Sequence, residues 1–320
     1  MTKTNQQKVK DFLINNGVII VMFILVIYTG FTSDNFFTRN NFMNILMNMS
    51  SRLVIALGIA GCVITAGCDL SAGRMIGFGA CISGMLLQRI DYSGKFFPDM
   101  QPLNVFVVAL IAMLVCAAFG TVTGFFIAYL NVPPFIATLA MMEIVYGIGL
   151  IVTNATPLGG YVEQYTNVSN GKFLGINYLI WIAIIVAAIT WFIFNMTRHG
   201  KYMYAIGGNP QAAEVAGVPV KATLILIYMK AAAMYGLAGF MLGAKAGGAS
   251  VQTGYGYEME AIAACTIGGV SVTGGRGKVS SAIIGVAVFE LLKVALQYLG
   301  MNEIGRASCG KECRSRWSPY

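Results

Sequence analysis

Charge is what this sequence has least of. Asp, Glu, Lys and Arg make up 11% of its 320 residues, against 57% hydrophobic, where a soluble domain carries about 25% charge. That scarcity excludes a soluble globule, because polar side chains could not cover the core. A bilayer is the solvent that fits, and apolar runs of roughly 17–25 residues, the length that crosses hydrocarbon, recur along the chain. Histidine is rarer still. His199 is the only one, which rules out the two-histidine HExxH metal motif, and no Ser/His/Asp set is present around it. No GxxxxGK[ST] loop is present either. The chain therefore reads as a non-enzyme with no metal site and no ATP site of its own, and His199 as a surface loop residue.

Runs of Lys and Arg with interleaved aromatics are also missing, which excludes nucleic acid as a partner. The net charge of +8 fits basic cytoplasmic loops instead. The seven cysteines lack metal or disulfide spacing. Cys62, Cys68, Cys81, Cys116 and Cys265 sit in or beside apolar segments, as small hydrophobes.

What the sequence does have is an all-α polytopic pattern. Nine apolar segments are expected to span, at about 17–33, 52–68, 75–90, 104–130, 133–153, 178–196, 222–243, 258–273 and 279–300. The first follows a basic stretch without a small-residue cleavage site, so it reads as an uncleaved span with a cytoplasmic N-terminus. Six crossings return the chain to the cytoplasm at Thr197, ahead of a loop carrying Arg198, Lys201 and Lys221. Glycine is abundant, with 38 residues. Gly58, Gly61, Gly120, Gly124, Gly236, Gly239 and Gly243 have the small-residue spacing that lets helices approach closely in lipid.

Two passages align without gaps: "GCDLSAGR" (residues 67–74) and "GVSVTGGR" (residues 269–276). Paired interruptions of this kind point to an internally duplicated transporter. An inverted duplication would put the copies on opposite faces, whereas the span count puts both inside. Ionisable residues within spans are Glu143 and Lys230, the groups an ion-coupled carrier would use as relays. Glu290 and Lys293, three apart, could pair on one helix face.

The loop after the sixth span holds a short helix with both ends marked. Asn209 is a favoured N-cap, Pro210 fits the first helical position, and Gly217 stands where a C-terminal glycine belongs. Glu214 and Gln211 are polar; Ala212, Ala213, Val215 and Ala216 leave a small-residue face. Two turns are unstable alone in water, so something must hold them, and a docking element is expected.

These residues carry a family resemblance. "AIGGNPQAAEVAGVPV" resembles the cytoplasmic loop of the permease subunits of bacterial ABC sugar importers, the ribose/xylose/galactose family. "TAGCDLSAGRMIG", "AYLNVPPFIATLAMMEIVYG" and "AACTIGGVSVTGGRG" are similar to its other signatures. The resemblance implies a multi-pass subunit of the bacterial inner membrane, paired with a second permease subunit as a homodimer. It also implies a periplasmic sugar-binding protein and a separate ATPase that holds the ATP and Mg. Asn209, Pro210, Ala213, Glu214 and Gly217 would couple to that ATPase. Asp69, Ser71, Arg74, Ser271, Thr273 and Arg276 would shape the pathway or its gate. The implied cargo is galactose, glucose or methyl-galactoside; ribose, xylose or a nucleoside, or an ion-coupled carrier, are the alternatives.

Residues 1–302 read as the permease domain. The last eighteen, "EIGRASCGKECRSRWSPY", break with everything before them and can be encoded by a sequencing adapter. They read as a non-native tail standing where the family has a tenth span.

Overall fold

A computed structural model describes residues 17–33 and 36–299. Residues 303–320, read as a non-native tail, lie outside the described residues. The described residues are α-helical apart from one two-stranded hairpin and two isolated β-bridges. The helices are α1 (Gly17–Thr32), α2 (Arg39–Ile64), α3 (Ala72–Leu86), α4 (Val105–Tyr129), α5 (Pro134–Thr153), α6 (Glu163–Asn170), α7 (Tyr178–Met196), α8 (Arg198–Gly208), α9 (Pro210–Val215), α10 (Val220–Ala246), α11 (Tyr257–Ile267) and α12 (Val279–Tyr298). The hairpin pairs β1 (Lys172–Phe173) with β2 (Ile176–Asn177).

The described residues form two compact units, one of residues 17–48 and 287–299, the other of residues 49–286. In the first, Phe36, Ile45, Val294 and Ala295 make a buried core against which Val26 and Leu291 pack. The Phe36 ring meets Phe37 and Tyr298 edge-on, at 5.1 and 5.4 Å.

In the second unit α10 is the central post. Its neighbours come close enough for backbone to touch backbone. A Cβ on Gly79 would lie 2.9 Å from the Cα of Gly236, and one on Gly124 would lie 2.7 Å from the Cα of Ile225. Glycine here serves packing in lipid, where no hydrophobic drive separates helix from solvent.

Among the described residues six helices, not nine, are long and apolar enough to cross a membrane: α2, α4, α5, α7, α10 and α12. The α1 helix, with 16 residues, and α3, with 15, fall short. The segment expected to span at 258–273 is the 11-residue α11 followed by a glycine loop. The expected span at 52–68 begins at Arg39 and stops at Ile64. The physical reason is the same at both interruptions. A hydropathy window counts apolar residues and cannot see the turns that end helices, such as the one at Ala66 (φ 59°) or those at Gly269 and Gly274 (φ 96° and 85°).

The break at 65–71 lies within the second unit and is mostly buried, Ala66 being exposed and Cys68 half-buried. Asp69 reaches Tyr235, near the middle of α10, so α3 starts deep between helices rather than at an interface. Irregular backbone at such depth persists only where protein satisfies its polar groups. Thr138 Oγ1 donates to the Cys68 carbonyl at 3.2 Å, and Gly67 N donates to the Cys62 carbonyl at 2.9 Å.

Candidate functional site

The region around residues 197–217 is built from a sharp return of the chain. Thr197 caps α8, its hydroxyl accepting from Gly200 N at 3.2 Å. Gly200 allows the turn: a Cβ there would lie 2.1 Å from the carbonyl oxygen of Phe194. No sequence signal marks a helix at 198–208, and the expectation of His199 as a surface loop residue is corrected by it. His199 lies half-buried in α8 beside Lys230, Phe194 and Met203. Burial, reinforced by the Lys230 charge, holds the imidazole down at about 4, so it is neutral at physiological pH.

The short helix expected at 209–217 is present as α9, capped at both ends. Asn209 is extended (φ −162°, ψ 107°) and its Oδ1 accepts from Ala212 N at 3.0 Å. Pro210 occupies the first position, where no amide hydrogen is needed. At the other end Gly217 takes φ +83°. Its N–H donates to the Glu214 carbonyl at 2.9 Å, and Val218 N donates to that of Ala213 at 3.0 Å. These bonds satisfy carbonyls that the helix end would otherwise leave open. Ala213 is the one residue of α9 turned inward, at 5% exposure, while Val215 stands 91% exposed.

Directly behind α9, the α8 backbone meets two other segments. A Cβ on Gly207 would lie 1.8 Å from the Ile64 carbonyl oxygen and 2.5 Å from Gly275 N, and Gly275 N itself donates to that oxygen at 2.8 Å. Tyr204 Oη donates to the Gly277 carbonyl at 2.8 Å. A concavity of about 430 Å³ opens here between Gly207, Gly208 and the loop Ser271–Arg276. Within the loop, Ser271 Oγ and Thr273 Oγ1 lie 2.8 Å apart, and Ser271 N donates to the Arg276 carbonyl at 2.9 Å.

Asp69, Ser71 and Arg74 occupy a different place. Asp69 is 2% exposed; its Oδ1 accepts from Ser71 N (3.0 Å) and Ser71 Oγ (2.6 Å), and its Oδ2 from Tyr235 Oη (3.1 Å). Ser71 is the formal N-cap of α3 but makes no side-chain cap bond. The Asp69 carboxylate sits in that position instead, where the helix dipole favours a negative group. Arg74 is buried. Its Nη1 donates to Gln252 Oε1 at 2.7 Å, and its guanidinium lies 3.9 Å from the Tyr146 ring centre and 4.3 Å from that of Tyr255.

The second aligned passage thus touches the chain just ahead of the first, Gly275 N donating to the Ile64 carbonyl, while the side chains of the two passages serve different surroundings. Glu143 and Lys230 are not brought together. Glu143 is exposed on α5, and Lys230 lines the small cavity beside His199. Nothing in the sequence pattern singles out Arg52, which pairs with Glu260 at 2.5 Å and lies 4.9 Å from the Tyr257 ring centre. The same holds for Tyr146, Gln252 and Tyr255. No motif spacing marks them, because separate segments deliver them.

The model of the family described as branched-chain amino acid transport system / permease component matches residues 41–310. The chain belongs to this family. As a permease it is a transport subunit and not an enzyme, and it is a polytopic membrane protein. The permease is similar to the galactose/methyl galactoside import permease protein MglC of Escherichia coli (strain K12), 38% identical over 94% of this chain and 92% of that one. It is 40% identical to the Haemophilus influenzae protein of the same name, again over 94% and 92%. The ribose import permease protein RbsC of Escherichia coli (strain K12) is 32% identical, over 92% and 89%. No solved structure matches the permease.

Proposed function

We propose that this permease is the membrane-spanning subunit of a binding-protein-dependent ABC importer for galactose or methyl galactoside in the bacterial inner membrane. Its N-terminus is cytoplasmic, and it works as a pair with a second copy of itself. A periplasmic binding protein delivers the sugar, and a separate ATPase grips α9. One observation carries this reading: a two-turn helix, too short to persist alone, is capped at both ends and projects Val215 and Glu214 outward. The names of the MglC relatives supply the cargo.

The geometry gives coupling a physical route. Force applied at α9 passes through Asn209 to the end of α8. There Gly207 meets the Ile64 carbonyl and Gly275 with no side chain between. Ile64 ends a membrane-spanning helix and is followed at once by the re-entrant turn at Asp69. On this reading a displacement at α9 would reach the irregular backbone between Ile64 and Ala72. The ion-coupled alternative lacks such support, because Glu143 and Lys230 lie on separate surfaces.

Proteoliposomes loaded with ATP test the reading. Galactose should enter only when the permease, its ATPase and the binding protein are all present. Uptake by the permease alone, abolished by an uncoupler, would establish a carrier instead, and uptake of ribose but not galactose would move the cargo to the pentoses.

A further inference from the structure

The outward faces of the second unit divide by chemistry. Along their middles those of α4 and α7 are apolar, as Phe106, Leu110, Leu114, Ile185, Ile189 and Phe192 illustrate, with Tyr129, Tyr178 and Asn195 only at helix ends, and suit acyl chains. The side formed by α5 and the segment before α11 is different. It exposes Glu143, Gln252 and Tyr255, the last at 60%. A carboxylate and an amide facing hydrocarbon are costly, and such groups belong on a water-filled cavity or a protein interface.

The polar groups on this side form one built cluster. Arg74 lies between the rings of Tyr146 and Tyr255 and donates to Gln252 Oε1, while Gln252 Nε2 donates to Tyr146 Oη at 3.0 Å. Both rings and the amide are thus held in fixed orientations by a buried guanidinium. Two buried polar atoms beside the cluster, Arg74 Nε and Glu258 Oε2, have no hydrogen-bond partner among the described residues. The Glu258 carboxylate packs against Gly73, next to Arg74 in the chain. The exposed Tyr255 ring, with a Gln252 amide that keeps one lone pair and one N–H beyond these bonds, matches a ligand bearing several hydroxyls around an apolar ring face.

We infer that Tyr255 and Gln252, oriented by Arg74 and Tyr146, form a hexose contact on the wall of the transport path. Tyr255 offers its ring to the C–H face of the pyranose, and Gln252 reads a neighbouring hydroxyl. The inference rests on the sugar-import reading above and assigns that reading its residues.

The test uses the complete importer in proteoliposomes, with galactose and glucose as probes. Tyr255→Ala should lower galactose uptake by about three- to ten-fold, the scale of one lost stacking contact. Tyr255→Phe should retain it, because the ring face remains, and Gln252→Ala should change the galactose-to-glucose ratio. Wild-type rates and ratio in both alanine variants would overturn the contact, as would equal losses in Tyr255→Phe and Tyr255→Ala. A separate readout locates the wall without reference to sugar. The Tyr255→Cys variant should react with a membrane-impermeant maleimide during ATP turnover, and no reaction would overturn the placement. If the wild-type importer moves no hexose while the Tyr255→Cys variant is labelled, the cargo reading fails and the wall stands.

Discussion

The α-carbon of Gly207 rests against the carbonyl oxygen of Ile64, so closely that a single added methyl would lie 1.8 Å from it. Two backbones meet there with Gly275 as the third party, and nothing flexible is available to yield. Gly207→Ala should force the α8 end away from α2, an overpacking strain of about 1–3 kcal/mol. Galactose uptake by the reconstituted importer should fall about ten-fold or more while the ATPase still hydrolyses ATP. Parallel loss of hydrolysis and uptake would point to failed assembly instead.

Breaking α9 should have the same signature by another cause. Ala213→Pro removes the bond from Ala213 N to the Asn209 carbonyl, and a helix-interior proline costs about 3 kcal/mol, more than two turns can withstand. Membrane insertion should be normal and uptake lost. Wild-type uptake in this variant would remove the coupling role.

The cap separates a local from a global effect. Asn209→Ala forfeits the bond to Ala212 N, about 1 kcal/mol, and Asn209→Asp keeps it. Uptake should follow the order Asn, Asp, then Ala, with the Ala variant reduced several-fold and unchanged in thermal melting.

Two tyrosines make a matched pair for the buried turn. Tyr235 Oη donates to Asp69, whereas Tyr228 Oη is buried without a partner among the described residues. Tyr235→Phe leaves a buried carboxylate short of a donor, a loss of about 1–3 kcal/mol, and should lower the melting temperature in detergent. Tyr228→Phe should be neutral or stabilising. Equal shifts in both would mean that the Asp69 bond contributes nothing.

His199 gives a pH dependence of known sign. Its folded value, about 4, lies below the ordinary value near 6.5, so the unfolded chain binds the proton first. Its contribution to stability is therefore complete above about pH 6.5 and declines as pH falls toward 4. Melting temperature should drop between pH 7 and pH 5 in the wild type, and His199→Gln should flatten that part of the profile.

The short helix α9 is legible in the sequence down to its caps, because Asn, Pro and Gly act through local backbone geometry. The spans are legible as apolar mass but not as crossings. The turn after Ile64 and the loop after Ile267 end helices inside segments that read as largely apolar. The six gate candidates split for a similar reason: aligned motifs fix local turns, while Arg74 and Arg276 acquire their neighbours from other segments. The Arg74 cluster is invisible for that cause alone. Tyr146, Gln252 and Tyr255 mean nothing in one dimension and become a site only when α3, α5 and the approach to α11 converge.

Between Gly217 and the start of α10 there are only Val218 and Pro219, a joint too short to absorb movement. The 27-residue α10 extends roughly 40 Å and is clamped by glycine contacts to α3 and α4 along its length. It is therefore a stiff strut that can tilt only together with α3 and α4, with the short helix α9 joined to its start. A tilt of about 5° imposed at Val220 would carry Ala246 sideways by roughly 3 Å at that length. Ala246 leads into the segment that bears Gln252 and Tyr255, so under the proposed coupling a push at α9 would reach those residues as a rigid displacement rather than be lost in a flexible joint.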